Sequence, residues 1–225
     1  MKEQWRRTGL AVVAAGMLMG SLSACVPLLL GGGAVTTALV ASDRRTSGMY
    51  LEDERIEQRA ASQLRELLKD GGRASVTSFN RVALITGEVR TEAEKTEAGR
   101  LVAGVENVRS VVNELEVVPF VSSLTQRSKD AFITSKVKAS LIDAKDLQAN
   151  SIKVVTELNV VYLMGIVTPR ESKRAAEIAR GVNDVRKVVR VFESIPEEEL
   201  ARYKNEPAAP PVEEAAVVEV QAIPN

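Results

Sequence analysis

GVENVRSVVNEL (residues 104–115) recurs as GVNDVRKVVRVF (residues 181–192), and the two stretches share the pattern G-V-x-x-V-R-x-V-V. In each, a glycine closes a helical pattern, and a valine-rich run typical of a β-strand follows. A second pair, VALITG at 82–87 and VVYLMG at 160–165, lies upstream at nearly the same separation. Similarity sustained over about 70 residues predicts two copies of one structural unit.

Each copy has the pattern of helix, strand, strand, helix, strand, and a single apolar stripe marks the first helix. In the second copy Ile133, Val137 and Leu141 recur at i, i+4 and i+8, which is the spacing of one helix face. The first copy repeats this stripe 77 residues earlier. The β-branched runs on either side of Asn80–Arg81 predict a hairpin between the first two strands.

A capping signal marks the second helix of each copy. Thr91 and Glu94 have the T-x-x-E spacing of a capping box, and Thr168 and Glu171 repeat it. Helices that cover one face of a small mixed sheet make a two-layer α+β sandwich. The sequence therefore predicts an α+β protein built of two tandem αββαβ sandwiches. Docking of the copies on each other would support cores that are marginal at this size.

The N-terminal residues have the features of a bacterial lipoprotein signal peptide. A basic start precedes an apolar run at 9–22, which is too short for a comfortable membrane span. LSAC at 22–25 resembles a lipobox. In such a signal the cysteine thiol, here that of Cys25, is lipidated, the peptide bond before it is cut and the new amine is acylated, and three acyl chains would give stable anchoring. By resemblance to bacterial sorting rules, Val26 favours the outer membrane. The alternative is an incidental cysteine in an ordinary signal peptide.

These patterns divide the chain into five segments. DRRTSG at 43–48 has the composition of an exposed linker, and the C-terminal segment is rich in proline and glutamate, which predicts disorder. The predicted segments are the signal peptide 1–24, the acylated cysteine with a flexible linker 25–50, the first unit 51–119, the second unit 127–195 and the disordered tail 196–225.

The composition argues against an enzyme. The chain has no histidine, which removes the commonest general base and the commonest metal ligand, and its one cysteine cannot form a thiolate cluster. No nucleophile lies in a plausible pattern with a base, so a hydrolase is disfavoured. We expect no catalysis, no metal, no cofactor and no nucleic-acid partner.

Duplicated units provide an internal control, because shared features serve the fold and differences can serve function. Residues 50–119 carry a net charge of −3, whereas residues 127–195 carry +5. Only the second copy therefore has a long-range preference for anions.

The contrast is sharpest on the first helix of the second copy, residues 130–142. At 100° per residue its outward half holds Phe132, Ala139 and Ile142, with lysines on the flanks. The aligned positions of the first copy are all polar, namely Arg55, Ser62 and Arg65.

Apolar residues between lysines suit a shallow contact with an anionic membrane. A lysine near such a surface contributes about 1 kcal/mol and a buried phenylalanine about 1.5–3 kcal/mol, so binding would be weak without a tether. The alternative is that this face packs on the first copy or the linker. The predicted lipid-contact residues are Phe132, Ser135, Lys136, Lys138, Ala139 and Ile142.

The segments of the first copy are, in order, a helix followed by VALITGEV, TEAE and GVENVRSVVNEL. In this order of segments the first copy resembles the BON domain, the bacterial OsmY-and-nodulation module. DRRTSG, ITSKVKASL, VVYLMGIVT and VRKVVRVFE extend the resemblance to tandem-BON lipoproteins over about residues 42–195. Phe132 stands where that family often has tryptophan. The resemblance implies a non-catalytic outer-membrane lipoprotein that faces the periplasm, maintains envelope integrity and is enriched at division sites. It also implies binding of phosphatidylglycerol- or cardiolipin-type lipid through helix 130–142.

A protein-interaction adaptor, for example for the outer-membrane assembly machinery, is the alternative from a different functional class. Salt separates the two hypotheses, because ionic strength screens Lys136 and Lys138 and would weaken lipid binding. An apolar protein interface would not show this dependence.

Overall fold

The computed structural model describes residues 43–69 and 71–200, so the predictions for the signal peptide, Cys25 and residues 201–225 lie outside the described residues. Each copy has the predicted element order, which confirms the α+β class. The first copy comprises α1 (Ser47–Leu67), β1 (Arg73–Phe79), β2 (Val82–Val89), α2 (Glu92–Ala103) and β3 (Ser110–Val117). The second comprises α3 (Leu124–Asp143), a 3₁₀ turn (Ala149–Ser151), β4 (Ile152–Glu157), β5 (Val160–Val167), α4 (Pro169–Arg180) and β6 (Lys187–Ser194).

Each copy forms a three-stranded mixed sheet with its second strand in the centre. β1 and β2 pair antiparallel and β2 and β3 pair parallel, and β4, β5 and β6 repeat this arrangement. The two hairpins turn at Asn80–Arg81 and Leu158–Asn159, and all four of these residues have positive φ, as a two-residue type I′ turn requires. The predicted hairpin at Asn80–Arg81 is therefore confirmed.

A buried aspartate on the first helix of each copy holds the hairpin turn. Asp53 accepts hydrogen bonds from the backbone N–H groups of Asn80 and Arg81, both at 2.8 Å. Asp130 accepts equivalent bonds from Leu158 at 3.1 Å and Asn159 at 2.9 Å. These bonds help to offset the cost of left-handed conformations at residues other than glycine.

Both predicted capping boxes are present at the starts of α2 and α4. Thr91 accepts from the N–H of Glu94, and Thr168 accepts from the N–H of Glu171. In each box the glutamate carboxylate accepts a hydrogen bond from the backbone N–H of its threonine. None of the helices in the described part of the chain combines the length and apolar character needed to cross a bilayer.

The described part of the chain has three apolar cores. Two of them lie between the helices and one face of each sheet, and side chains from α1 and from α3 fill them. The third lies between the bare faces of the two sheets, because alternate side chains of β2 and β5 point to opposite faces. It includes Phe79 and Leu84 from the first copy and Val160, Tyr162, Met164 and Ile166 from the second.

Ion pairs also join the two copies. Arg109 pairs with Glu193, and Arg186 pairs with Glu116 at 2.9 Å, so the copies are joined by charge as well as by apolar packing. The other pairs across the boundary include Arg73 with Glu157 and Lys153 with Glu57.

Two stretches differ from their prediction as unstructured segments. Arg44, from the stretch predicted to be an exposed linker, is buried, and α1 already begins at Ser47. Leu200, from the predicted disordered tail, is buried in the core between the sheets. The composition of DRRTSG predicts solvated arginines. Arg44 is buried instead because its guanidinium pairs with a buried carboxylate more than a hundred residues away.

Candidate functional site

Helix α3 turns one side toward its own sheet and the opposite side toward solvent. Ile133, Val137 and Leu141 are buried, as predicted. Along the exposed side, Leu124, Phe132 and Ile142 are 71%, 63% and 67% exposed. We call this side the α3 outer face; it comprises Leu124, Ser128, Ala131, Phe132, Ser135, Ala139 and Ile142, all of them exposed.

The serines of the α3 outer face are bonded to their own helix. Ser128 Oγ donates to the carbonyl of Leu124 at 3.2 Å, and Ser135 Oγ donates to the carbonyl of Ala131 at 3.0 Å. Because these hydroxyl protons already have acceptors, an apolar medium could cover the face without leaving a donor unpaired. The polar residues on this face therefore do not oppose apolar contact.

Two lysines border the α3 outer face in different ways. Lys138 is exposed and has no ion-pair partner among the residues that the structure describes. Lys136 lies with its Nζ 4.7 Å from the centre of the Phe132 ring and 3.4 Å from a carboxylate oxygen of Asp184. A cation over the ring is a favourable contact, and it holds positive charge beside the apolar side chain.

The structure brings all of the sequence-predicted contact residues onto one surface. Phe132, Ser135, Lys138, Ala139 and Ile142 are exposed, and Lys136 is partly buried. The alternative in which Phe132 and Ile142 pack against the first copy does not occur within the described residues, since both are largely uncovered.

Sequence reasoning missed the N-terminal part of this surface. Six of the eight exposed large hydrophobic side chains in the described ranges lie between Val117 and Ile142, and Leu124 is one of them. Leu124 and Ile142 are separated by five full helical turns, so they share one azimuth about 27 Å apart. Extending the helical count upstream of residue 130 would have found Leu124.

The corresponding side of α1 has a different character. Arg55 and Arg65, which align with Phe132 and Ile142, are exposed, as are the polar residues between them. Only Tyr50 at the start of the helix and its neighbour Leu51 add exposed apolar area. The two first helices therefore share a buried side and differ on the solvent side.

The stretch before α1 is clamped to the second copy. Arg44 donates from Nη1 and Nη2 to the two carboxylate oxygens of Glu171 at 2.8 and 2.7 Å, and from Nη1 to the carbonyl of Ile166 at 2.6 Å. The two side chains of this ion pair are 2% and 5% exposed. Burial alone would raise the pKa of Glu171, but hydrogen bonds from Arg44 and the Thr168 backbone outweigh it and lower the pKa.

Arg45, the next residue, joins this stretch to the first copy. Its guanidinium pairs with Asp53 at 2.8 Å and with Asp43 at 2.7 Å, and it stacks 4.0 Å from the centre of the Phe79 ring. Arg45 also lines a cleft of about 280 Å³ together with Lys138 and Ile142. The chain that leads into α1 therefore passes beside the C-terminal end of the α3 outer face.

Side chains suited to metal binding do not converge anywhere in the described ranges: no group of three or more His, Cys, Asp or Glu residues there could hold an ion. The α3 outer face and its flanking lysines are thus the strongest candidate site in this part of the chain.

Comparison with known proteins gives one family and several relatives. The model of the BON domain matches residues 52–119 and 129–195. The chain is 38% identical to Outer membrane lipoprotein DolP of Haemophilus influenzae, over 76% of this chain and 89% of that protein. It is 34% identical to a 21 kDa hemolysin of Actinobacillus pleuropneumoniae, over 67% of this chain and 78% of that protein. It is also 34% identical to Osmotically-inducible protein Y of Escherichia coli, over 51% and 58%.

Proposed function

The chain belongs to the BON-domain family, and from that premise we propose that it is a non-catalytic outer-membrane lipoprotein that binds anionic phospholipid through the α3 outer face. In this proposal Cys25 is acylated, the two BON domains face the periplasm, and the protein supports outer-membrane integrity and is enriched at division sites. The observation that supports the lipid-binding part is that α3 has an exposed apolar face flanked by lysines, whereas the aligned positions on α1 are polar.

The contacts available to the α3 outer face suit weak, shallow binding. Moving Phe132 into an apolar environment contributes about 1.5–3 kcal/mol, and Lys138 beside anionic headgroups adds about 1 kcal/mol. The serine hydroxyls add little penalty, because they are bonded within the helix. The lysines favour a negatively charged surface of phosphatidylglycerol or cardiolipin type over a neutral one.

A tether would turn this weak affinity into stable contact. Asp43 lies eighteen residues after Cys25, so an extended chain between them reaches at most about 65 Å. The clamp between Arg44 and Glu171 holds the start of the described chain beside Lys138 and Ile142. An acyl chain on Cys25 would therefore raise the effective lipid concentration close to the α3 outer face.

The similarity to an outer membrane lipoprotein supports the proposed location. That relative is matched over most of its own length, so the likeness includes more than one BON domain. The lipobox resemblance at residues 22–25 is independent support for the anchor.

The lipid-binding proposal is tested by Phe132→Glu in the chain that begins at Val26, which has no acyl anchor. Co-sedimentation with phosphatidylglycerol-containing vesicles should fall by at least about tenfold, because an apolar contact is replaced by a charge that the vesicle repels. Leu51→Glu on α1 is the matched control and should leave co-sedimentation unchanged, since Leu51 is exposed in the other copy.

Salt dependence completes this test. Wild-type binding to anionic vesicles should weaken as ionic strength rises, and binding to neutral vesicles should be weak throughout. Unchanged co-sedimentation of the Phe132→Glu protein would remove the lipid proposal and favour the adaptor for outer-membrane assembly machinery.

A further inference from the structure

Residues 119–121, between the two BON domains, form a short loop held at both ends. On one side the N–H of Val118 donates to the carbonyl of Val89 at 2.8 Å. On the other side Ser122 donates to Glu88 from its N–H at 2.9 Å and from its Oγ at 2.6 Å. Pro119 restricts the backbone between these two fixed points. The backbone of the loop is therefore restricted at both ends and at Pro119.

Glu88 is a strong anchor for the loop. Its carboxylate is buried, and it also pairs with Arg73 at 3.2 Å. Burial opposes ionisation, but the hydrogen bonds from Ser122 and the charge of Arg73 prevail and lower the pKa of Glu88. Glu88 consequently stays ionised near neutral pH and keeps its charge-assisted bonds to the loop.

The projecting side chains are apolar. Phe120 is 86% exposed, the largest value among the exposed large hydrophobic side chains of the described ranges, and Val121 beside it is also exposed. Leu124, the first residue of α3, follows three positions later and belongs to the α3 outer face. Single exposed apolar residues are common, but an apolar loop continuous with an apolar helix face marks an interaction surface.

The first copy again supplies an internal comparison. Thr46 and Ser123, 77 residues apart, are the N-caps of α1 and α3, so the residues before them correspond. At the positions equivalent to Phe120 and Val121 the first copy has Asp43 and Arg44. Arg44 is buried in an ion pair, whereas the equivalent loop of the second copy points into solvent.

We propose that Phe120 and Val121 form a second membrane-inserting element, which enters the same anionic bilayer as the α3 outer face. The inference rests on the proposed function, because it takes that face to be the lipid-contact surface. Charge favours a bilayer as the occupant, since Arg127 and Lys129 are exposed in the first turns of α3 beside the loop. Pro119 lacks an N–H, which removes one polar group that insertion would dehydrate.

Single-tryptophan reporters test this proposal directly. The chain has one tryptophan, Trp5, so full-length Trp5→Phe protein is free of tryptophan fluorescence. Phe120→Trp, Phe132→Trp and Leu51→Trp are each placed in this background and reconstituted with vesicles of phosphatidylcholine, with and without phosphatidylglycerol. The measurements are the emission wavelength and quenching by lipids with brominated acyl chains.

Quenching by brominated chains should occur at positions 120 and 132 in anionic vesicles, with emission shifted to shorter wavelength at both. The reporter at position 51 on α1 should remain accessible to an aqueous quencher. As a second measurement, Phe120→Glu should reduce partitioning of the chain that begins at Val26 to anionic vesicles by about tenfold. Its thermal unfolding should match that of the parent, because the side chain is exposed in the fold.

The outcomes separate this inference from the function on which it rests. Quenching at position 132 without quenching at position 120 overturns the second element and leaves the α3 outer face as the lipid site. Absence of quenching at both positions overturns both proposals. Protection of position 120 that depends on protein concentration, with no lipid quenching, would assign the loop to contact between two copies and overturn its insertion.

Discussion

The two BON domains share a scaffold and differ in what they present to solvent. In both, a buried aspartate on the first helix holds the hairpin turn, and a capping box starts the second helix. On the solvent side, α1 has arginines at the positions where α3 has Phe132 and Ile142. The features that the fold requires are therefore present in both copies, whereas the solvent-facing sides of their first helices differ.

The stretches before α1 and α3 also differ in how far they are exposed to solvent. Arg44 ties the first copy's stretch to Glu171 of the second, which makes the stretch part of the fold. The equivalent loop before α3 leaves Phe120 in solvent. The first stretch therefore contributes to holding the two copies together, whereas Phe120 in the second is exposed.

The largest expected effect comes from breaking the Arg44 clamp. Arg44→Met leaves Glu171 buried without its cation and should lower the free energy of unfolding by about 3–5 kcal/mol in urea denaturation. Arg55→Met on α1 is the matched control and should cost less than about 1 kcal/mol, because Arg55 is exposed and its pair with Glu52 is long, at 3.6 Å.

The paired variant Arg44→Met with Glu171→Gln should recover most of the loss. Gln is neutral, and it can still accept from the Thr168 backbone as the capping box requires. If Arg44→Met costs no more than Arg55→Met, the stretch before α1 is not part of the fold, and the contrast with the Phe120 loop is lost.

A smaller effect distinguishes the two capping-box glutamates by pH. The folded state lowers the pKa of Glu171 below its ordinary value of 4.5. Its stabilising contribution is therefore present above about pH 4.5 and is lost as pH falls through the lower folded-state pKa. Glu171→Gln should flatten the fall in unfolding free energy that occurs as pH drops below about 4.5.

Glu94→Gln in the first BON domain is the control for this pH profile. Glu94 is partly exposed and caps α2 without an arginine clamp, so its replacement removes a capping carboxylate but no buried ion pair. Glu88 and Glu193 also have lowered pKa values, and they preserve some acid sensitivity in the Glu171→Gln protein. Equal slopes in both variants would contradict the assignment to Glu171.

Much of this fold could be predicted because its signals are local and occur twice. Helical stripes, capping boxes and the positions of the strands all follow from spacing within a few residues. The α3 outer face was predictable for the same reason. Counting 100° per residue along the helix places Phe132 on the solvent side and Leu141 on the buried side. The sequence also shows Asp53 and Asp130 at equivalent positions of the two copies. It did not predict that they hold the hairpin turns, because a lone acidic residue on a helix is usually solvated.

What could not be predicted depends on contacts between distant parts of the chain. Arg44 and Glu171 are 127 positions apart, and nothing in the local composition of DRRTSG indicates a buried partner. Leu200 similarly reaches a core that exists only after the two sheets have docked. The loop at Phe120 was missed because its exposure depends on the bonds that hold Val118 and Ser122 in place.

The smallest expected effect comes from transferring the α3 outer face to α1. Arg55→Phe with Arg65→Ile gives α1 the aromatic and aliphatic side chains that α3 has at the aligned positions. Affinity for anionic vesicles should rise by less than about tenfold, because the first BON domain has a net charge of −3 and no exposed lysine at the position of Lys138. Co-sedimentation of the chain from Val26, with Phe132→Glu added to silence α3, measures this gain. A gain that restores wild-type binding would mean that apolar area alone determines membrane contact, and that the opposite charges of the two BON domains do not contribute to it.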